Sequence, residues 1–208
     1  MLTGELMTSA TITDRLVALS RALIGRIRGG LAQVNVLVSM FFAGMNGSVV
    51  ADTATVGALV LPAMKKAGYP AAFSAAVTGV SSTIGGIIPP SIMMIVLANS
   101  TEISIAALFA AGIIPGILIG VVIMIINHYF AIKYNFERSD EPFSIRRAGK
   151  ELYRSSFALL IPLVLVGSVM GGVASVVEAG AITAMVALLT GVFVYRTIKW
   201  KECTGAFR

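Results

Sequence analysis

The segment that decides the fold covers residues 31–64 and reads LAQVNVLVSMFFAGMNGSVVADTATVGALVLPAM. Its apolar character is interrupted once, by Gly44-Met45-Asn46-Gly47-Ser48. Each half has roughly 15 residues, so at about 1.5 Å per residue a helix would reach only about 22 Å, short of the ~30 Å hydrocarbon core. The segment therefore predicts either one kinked span or a helical hairpin that enters the membrane and turns back.

The positions of the basic residues decide between these arrangements. If residues 31–64 form a hairpin, Arg28 before it and Lys65 after it lie on the same side of the membrane. A single span would place them on opposite sides. Because positively charged residues collect on the cytoplasmic side of membrane proteins, the re-entrant hairpin is favoured.

The rest of the chain extends this assignment. We expect single crossings at residues 71–98 and 107–132, followed by an out-and-back pair at 157–171 and 179–195. All 16 lysines and arginines then lie on the cytoplasmic side, and the short outer connections contain none.

Composition points to the same class of protein. The chain is 57% hydrophobic and only 12% charged, with a mean hydropathy of +0.90. A soluble domain of this size needs more charge to cover its surface, whereas a lipid bilayer solvates apolar side chains. The net charge of +6 lies beside apolar runs, which indicates an anionic membrane surface and no nucleic-acid partner.

The N-terminal residues 1–28 differ from the spans. Apolar residues recur at steps of three and four while arginines lie mostly off that stripe, which predicts an amphipathic arm helix in the membrane interface. The alternative is the frayed end of a further span. The apolar stripe consists of Ile12, Leu16, Leu19, Leu23 and Ile27.

A second interruption lies inside the crossing at 71–98 and reads Gly85-Gly86-Ile87-Ile88-Pro89-Pro90-Ser91. The two prolines remove two amide donors and disfavour helix in the preceding residues. Within a membrane such a break is tolerated only where protein or a watery cavity satisfies the carbonyl groups. A hairpin tip followed by a split helix indicates the midplane site of a secondary transporter.

The chemistry of that site follows from backbone groups. Helices beginning at Ser48 and near Pro90 would direct unpaired amides toward the bilayer centre, where they suit an anion. Carbonyls freed at 44–46 and 86–88 suit a hard cation such as sodium, and Asn46, Ser48 and Ser91 can add side-chain oxygens. Ser48 is equally well explained as a helix N-cap alone.

Two acidic residues call for separate interpretations. Asp52 lies one turn into the second hairpin helix, where an ionisable group is functional by default, but we favour structural support of the tip. Glu178 is expected in the first turn of a helix, where it complements the helix dipole. The sequence has no Ser/His/Asp grouping, P-loop or dinucleotide motif, so we predict no enzyme activity and no cofactor.

Several stretches together resemble the large membrane subunit of the tripartite ATP-independent periplasmic (TRAP) transporters, over nearly the whole chain. The most specific section extends from Gly68-Tyr69-Pro70 to Ile87-Ile88-Pro89-Pro90-Ser91-Ile92. The other matching stretches are Gly4-Glu5-Leu6-Met7, Gly29-Gly30-Leu31-Ala32, Asn46-Gly47-Ser48-Val49-Val50-Ala51-Asp52, Leu61-Pro62-Ala63-Met64 and Ala111-Gly112-Ile113-Ile114-Pro115-Gly116.

This resemblance implies sodium-driven uptake of small carboxylates, such as C4-dicarboxylates or sialic acids, across a bacterial inner membrane. It implies a periplasmic substrate-binding protein and a small membrane subunit as partners, and an elevator-like movement of the hairpin domain. The sodium site that it implies comprises Asn46, Gly47, Ser48, Ile88, Pro89 and Ser91, with Asp52 and Pro90 as substrate or structural support.

The chain departs from the family pattern in three ways. Asn46 stands where the family usually has serine, and Ser175-Val176-Val177-Glu178 stands where it tends to have Thr-Pro-Thr-Glu. The family subunit is also about twice as long, with a second, inverted half. We therefore expect one half of an inverted-repeat elevator transporter, an all-α polytopic membrane protein that is a fragment or a split subunit.

The expected organisation is an arm (1–28), a first transport repeat (29–132) with hairpin (29–66), broken helix (71–98) and span (107–132), a basic cytoplasmic connection (133–155), two scaffold spans (156–198) and a cytoplasmic tail (199–208). Two alternatives stay open at this point. One is another elevator symporter for citrate or dicarboxylates. The other is a non-transporting remnant or assembly partner.

Overall fold

The computed structural model describes residues 12–24, 27–136 and 144–190. Within these ranges every regular element is helical, which confirms the all-helical prediction there. In chain order the elements are α1 (Ile12–Ile24), α2 (Gly30–Asn46), α3 (Val49–Lys66), α4 (Ala71–Ser82), a 3₁₀ turn (Thr83–Gly86), α5 (Ile92–Thr101), α6 (Ile105–Lys133), α7 (Ile145–Met170) and α8 (Val176–Leu189).

Parts of three expected segments lie outside the described residues. In the arm these parts are residues 1–11, which include Gly4-Glu5-Leu6-Met7, and residues 25–26. The other parts are the middle of the basic connection (137–143) and the end of the second scaffold span with the tail (191–208).

Two helices have the length and composition of membrane spans. Helix α6 has 29 residues and α7 has 26, and both contain an apolar stretch long enough to cross a bilayer. Large apolar side chains on α6 are open to the surroundings, among them Ile114 at 75% and Ile125 at 64% exposure. A surface of this kind is stable against lipid and unfavourable against water.

Helices α2 and α3 fold back on each other at Gly47 and Ser48. Helix α2 ends because Gly47 adopts the left-handed conformation, with φ at 59°, which glycine reaches without steric penalty. Helix α3 begins at Val49 because Ser48 is extended and its hydroxyl accepts a hydrogen bond from the amide of Ala51 at 3.4 Å.

Helix α2 runs antiparallel to α6 and stops partway along it. The side-chain amide of Gln33 donates to the carbonyl of Met124 at 2.8 Å. Further along, Met40 packs on Gly120, where an added Cβ would lie 2.5 Å from the Met40 sulfur. Because α2 ends six residues later at about 1.5 Å per residue, the turn at Gly47 lies about 9 Å beyond Gly120, alongside α6 and well inside its first residue, Ile105.

The break in the third expected element is longer than one kink. Helix α4 ends at Ser82, the 3₁₀ turn follows, and α5 starts only at Ile92, with Ser91 as its N-cap. The Pro89–Pro90 peptide bond is cis. The sequence predicts that the second half of the split helix starts near Pro90. In the structure it starts two residues later, at Ile92.

Helix α7 begins at Ile145, inside the stretch 133–155 that the sequence assigns to the basic connection. Its first turns carry Arg146, Arg147, Lys150 and Arg154 on exposed positions, and Arg154 pairs with Glu151 at 3.4 Å. The basic residues therefore belong to the first turns of α7, which continue the apolar part of the helix as an amphipathic end.

The aromatic residues near the α3–α4 connection pack against the end of α6. Tyr69 stacks beside Phe136 with ring centroids 4.5 Å apart, and Phe73 lies 5.1 Å from Phe136. Arg28, just before α2, donates to the Asn135 side chain at 3.2 Å. The start of α2, the end of α3 and the end of α6 therefore lie at one end of the helix bundle.

Candidate functional site

The turn between α2 and α3 contacts the start of α5 directly. The amide of Ile92, the first residue of α5, donates to the carbonyl of Gly47 at 3.1 Å. A Cβ added to Gly47 would overlap the carbonyl oxygen of Pro90. Glycine is therefore required twice here, by its positive φ and by the close approach of a neighbouring carbonyl.

Two carbonyl oxygens of the split helix lie beside the hairpin, one at the turn and one at the last turn of α2. The oxygen of Pro90 points at Gly47, and that of Pro89 lies 3.9 Å from a Cβ added to Gly44. Among the described residues, no backbone amide donates to either oxygen. These carbonyls are therefore available acceptors beside the hairpin turn.

Side chains of the turn bring further oxygens to the same place. The Asn46 side-chain oxygen accepts a hydrogen bond from the Ser48 amide at 3.1 Å, and the Ser48 hydroxyl oxygen caps α3. Each oxygen still has a second lone pair. Ser48 is thus an N-cap, as the sequence allows, and the capping does not exhaust its capacity as a ligand.

Ser91 is the most tightly held residue of the predicted set. It is fully buried, its hydroxyl donates to the Gly86 carbonyl at 2.8 Å, and it accepts from the Met94 amide at 3.3 Å. The Gly86 carbonyl, which the break was predicted to free from the helix, accepts instead from the Ser91 hydroxyl, so Ser91 closes the break with its own side chain. The open carbonyls lie further along, at Pro89 and Pro90.

The remaining predicted position, Ile88, contributes packing. Its amide donates to the carbonyl of Ile84 at 2.9 Å, and its side chain lies against Gly116 of α6. Gly112 receives the carbonyl of Ile87 and the Met94 side chain in the same way. Sequence reasoning missed this glycine face, although the Gly112-Gly116-Gly120 spacing of four was visible as a small-residue stripe.

Asp52 lies one turn into α3 and is fully buried. Gly85 of the 3₁₀ turn is close to it, since an added Cβ there would lie 3.8 Å from the Cβ of Asp52 and 3.7 Å from the Ser48 carbonyl oxygen. The carboxyl group therefore points into the packed interior between the hairpin and the split helix.

The structure thus brings Asn46, Gly47 and Ser48 together with the Pro89–Ser91 segment. The groups gathered there are carbonyl, amide and hydroxyl oxygens, which are the ligands that hard cations prefer. In the described part of the chain no three His, Cys, Asp or Glu residues form a cluster. The arrangement accordingly fits an alkali cation better than a transition metal.

Comparison with known proteins adds the family. The sequence model described as "Tripartite ATP-independent periplasmic transporter, DctM component" matches residues 1–208, the whole chain. The chain belongs to this family. The alternative of a different elevator symporter family is therefore excluded.

Characterised relatives of the DctM family show how much of a subunit this chain represents. It is 35% identical to the C4-dicarboxylate TRAP transporter large permease protein DctM of Pseudomonas aeruginosa, over 98% of this chain and 47% of the relative. It is 35% identical to the sialic acid TRAP transporter large permease protein SiaM of Vibrio cholerae, over 95% and 46%. The match to the 2,3-diketo-L-gulonate TRAP transporter large permease protein YiaN of Escherichia coli is 36%, over 99% and 49%. The chain spans about half the length of these relatives.

The departure from the DctM-family pattern at the start of α8 has a simple structural role. The hydroxyl of Ser175 accepts from the Glu178 amide at 3.3 Å, and the Glu178 carboxylate accepts from the Ser175 amide at 2.8 Å. This reciprocal capping box begins α8. Glu178 therefore serves the helix start, as its position predicts.

Proposed function

We propose that this chain forms the first half of the large permease subunit of a sodium-driven importer of small carboxylates in a bacterial inner membrane. Its partners would be a periplasmic substrate-binding protein and a small membrane subunit. The family assignment supports the permease class. The named substrates of the relatives, C4-dicarboxylates, sialic acid and 2,3-diketo-L-gulonate, support a small organic anion.

The observation that carries the proposal is the hydrogen bond from Ile92 to Gly47. It joins two interrupted elements, the hairpin turn and the second half of the split helix. The junction lies beside Gly112 and Gly116, away from both ends of a 29-residue helix long enough to span a bilayer. Non-helical backbone at that depth is tolerated where it lines a binding site. Secondary transporters bind substrate and coupling ion at such interruptions.

Sodium is proposed to bind between the turn and the split helix. The Pro89 and Pro90 carbonyls lie beside the hairpin, and the Asn46 and Ser48 side-chain oxygens lie in the turn itself. A cation bridging these groups would hold the two elements together without any acidic ligand. Ser91 would support the site by fixing the shape of the break.

The carboxylate substrate is proposed to bind next to the cation, at the starts of α3 and α5. Both helix N-termini lie at the junction, with Ser48 and Ser91 as their caps. Backbone amides and the positive end of the helix dipole favour an anion there. Because the bound cation adds positive charge beside the same amides, sodium would strengthen substrate binding, which couples the two.

An elevator-like movement would carry this site across the membrane. Both the hairpin and the split helix pack on small residues of α6. Met40 of α2 lies against Gly120, and the break lies against Gly112 and Gly116. We propose that α2–α6 move as one transport unit against α7 and α8. The second half of the subunit would complete the site from the other side.

The experiment is uptake of labelled carboxylate by the complete transporter in proteoliposomes, with its binding protein and an imposed sodium gradient. Asn46→Ala combined with Ser48→Ala should lower uptake to the level measured without sodium, because two ligand oxygens are lost. Thr53→Ala with Ser100→Ala is the matched control, since each hydroxyl bonds only its own helix, at 2.8 and 2.9 Å.

The control should transport at the wild-type rate. Both double variants should insert and assemble to wild-type levels, which membrane fractionation measures. Uptake by the Asn46/Ser48 variant with wild-type rate and sodium affinity would show that the ion binds elsewhere.

A further inference from the structure

The buried carboxyl group of Asp52 lacks hydrogen-bond partners, and the proposed ion site at the hairpin turn does not explain how it is stabilised. The residue is fully buried, and neither oxygen of its carboxyl group has a hydrogen-bond partner among the described residues. Ser82 is also fully buried, and its hydroxyl is likewise unpartnered there. Burying unpaired carboxyl oxygens is costly, so a group that neutralises them is expected.

No basic side chain of the neighbouring elements supplies that neutralisation. Asp52 packs between α2, α4 and the 3₁₀ turn, and the sequences of these three elements contain no titratable residue. On α3 itself the only cations are Lys65 and Lys66, three turns away at the opposite end of the helix and exposed. Within the part of the chain that the structure describes, the carboxyl group is therefore not paired with a cationic side chain.

Buried polar side chains of α2 and α4 near Asp52 form a network of hydrogen bonds. The side-chain amide nitrogen of Asn35 donates a hydrogen bond to the Thr78 hydroxyl at 2.7 Å. The Thr78 hydroxyl in turn donates to the Ser74 carbonyl at 2.9 Å. The Met64 sulfur also accepts from the Asn35 nitrogen at 3.7 Å, which fixes the orientation of the amide.

The side-chain oxygen of Asn35 helps to orient the hydroxyl protons of Ser81 and Ser39. The Ser81 hydroxyl lies within donating distance of the Asn35 oxygen, at 3.2 Å, and of the Thr78 carbonyl, at 3.1 Å. With its proton used in either bond, the Ser81 oxygen accepts from the Ser39 hydroxyl at 3.3 Å. Ser39 and Ser82 both lie next to the carboxyl group of Asp52. Because Ser39 donates its proton to Ser81, its oxygen has lone pairs to offer to a cation bound beside that carboxyl group. Oxygen lone pairs that face a carboxylate repel it unless a positive group lies between them, and an alkali cation bound to both removes that repulsion.

We propose that Asp52, Ser39 and Ser82 form a second alkali-cation site, one helical turn below the hairpin turn. The site offers one formal negative charge and neutral hydroxyl oxygens. A single carboxylate suits a monovalent ion, whereas hard divalent ions usually recruit several carboxylates. Sodium bound here would stabilise the hairpin by linking α3 to α2 and to the end of α4.

The site is separate from the oxygens at the turn. Asp52 is four residues after Ser48, about 6 Å along the helix axis, and its contacts are side chains of α2 and α4 instead of the carbonyls of Pro89 and Pro90. The two sites can therefore be tested independently by substitution.

The test measures sodium binding at equilibrium, without substrate, on the complete transporter in lipid nanodiscs. Thermal unfolding is followed while sodium chloride replaces choline chloride at constant ionic strength, because a bound ion raises the unfolding temperature by mass action. Asp52→Asn keeps the size of the side chain and removes its charge. It should weaken the apparent sodium affinity about tenfold or more.

Two further variants complete the design. Ser82→Ala removes a hydroxyl that has no hydrogen-bond partner among the residues described, so the variant should fold normally and weaken sodium binding several-fold. This keeps the test decisive even if Asp52→Asn fails to assemble. Glu178→Gln is the matched control, because that carboxylate only caps α8, and it should leave the sodium response unchanged.

Combining these variants with the turn variant separates the two proposals. If Asn46→Ala with Ser48→Ala leaves a sodium response that Asp52→Asn then removes, the second site stands whatever the turn does. If Asp52→Asn and Ser82→Ala both respond to sodium as the wild type does, the second site is overturned. A wild-type stability that depends on pH and not on sodium would also overturn it, because a proton would then neutralise Asp52.

Discussion

At the scale of single residues, Gly47 has the most stringent requirement in the candidate site. Its φ of 59° is unfavourable for any residue with a Cβ, and the carbonyl of Pro90 occupies the space that a Cβ would need. Ser48 and Ser91, by contrast, act through hydroxyl oxygens that alanine lacks. The glycine is therefore required for steric reasons, and the two serines are required for their hydrogen bonds.

Gly47→Ala should accordingly destabilise the protein and stop uptake. The left-handed backbone alone costs about 1–2 kcal/mol with alanine, and the overlap with Pro90 must in addition push the hairpin away from the split helix. Thermal unfolding and sodium-driven uptake of the complete transporter measure both effects.

Gly149→Ala is the control for this change. Gly149 lies inside α7 and has nothing within 4 Å of an added Cβ, so alanine should leave uptake unchanged and stability equal or slightly higher. Equal behaviour of the two alanine variants would show that the contact between Gly47 and Pro90 is dispensable.

The sequence predicts these residues unevenly, for a physical reason. The turn at Gly47 and Ser48 follows from local backbone preferences, which a sequence displays directly. The use of the Gly86 carbonyl by Ser91 and the direction of the Pro89 and Pro90 carbonyls depend on how the break closes in three dimensions. No local pattern reports that closure.

At the scale of elements, the face of α6 holds the break in position. Gly112 and Gly116 admit the Ile87 carbonyl and the Ile88 side chain, so the backbone of the split helix approaches α6 closely. Helix pairs in membranes commonly associate through small residues at this spacing. The split helix thus depends on α6 for its shape as much as on its own prolines.

Gly112→Ala tests this dependence. The added Cβ would overlap the Ile87 carbonyl oxygen, which is backbone, and the end of the Met94 side chain. Overpacking of this kind costs about 1–3 kcal/mol, and the break must shift away from the hairpin turn. We expect uptake to fall together with the apparent sodium affinity.

The matched change is Gly180→Ala on α8, where an added Cβ meets nothing within 4 Å. It should transport as the wild type does. A Gly112→Ala protein with normal sodium affinity would mean that α6 carries the break without shaping it.

Element boundaries were predicted less well than element types. The start of α7 at Ile145 was missed because its first turns are basic, and charged residues at a membrane surface continue a helix as readily as they end one. The break inside the crossing at 71–98 was anticipated, since two prolines leave no alternative. Strong breakers are readable from sequence, and gradual changes of environment are not.

At the scale of the whole molecule, contacts at one end of the helix bundle are consistent with the topology that the basic residues predict. Arg28 contacts Asn135 after the end of α6, and Tyr69 after α3 packs on Phe136. The flanks of the hairpin therefore share one end of the bundle with the end of α6. The capping box of α8, between Ser175 and Glu178, begins the return helix of the pair formed with α7.

This arrangement predicts the labelling of introduced cysteines by a membrane-impermeant maleimide. The native Cys203 is the single cysteine and is first replaced, as Cys203→Ser. Arg28→Cys and Lys65→Cys should then both react in inside-out vesicles and be protected in right-side-out ones. Ser100→Cys, near the end of α5, should show the opposite pattern, because the crossing that begins after Lys66 separates it from the hairpin flanks.

Each flank on its own is compatible with several topologies, and only the pair distinguishes them. A single kinked span over residues 31–64 would place Arg28 and Lys65 on opposite faces and divide the basic residues between two compartments, against the positive-inside tendency. Labelling from the same side as each other, and from the side opposite to Ser100→Cys, requires the chain to enter and leave by one face. If Arg28→Cys and Lys65→Cys label from different sides, Gly47 and Ser48 mark a kink in a span, and the proposed ion sites lose the turn on which they are built.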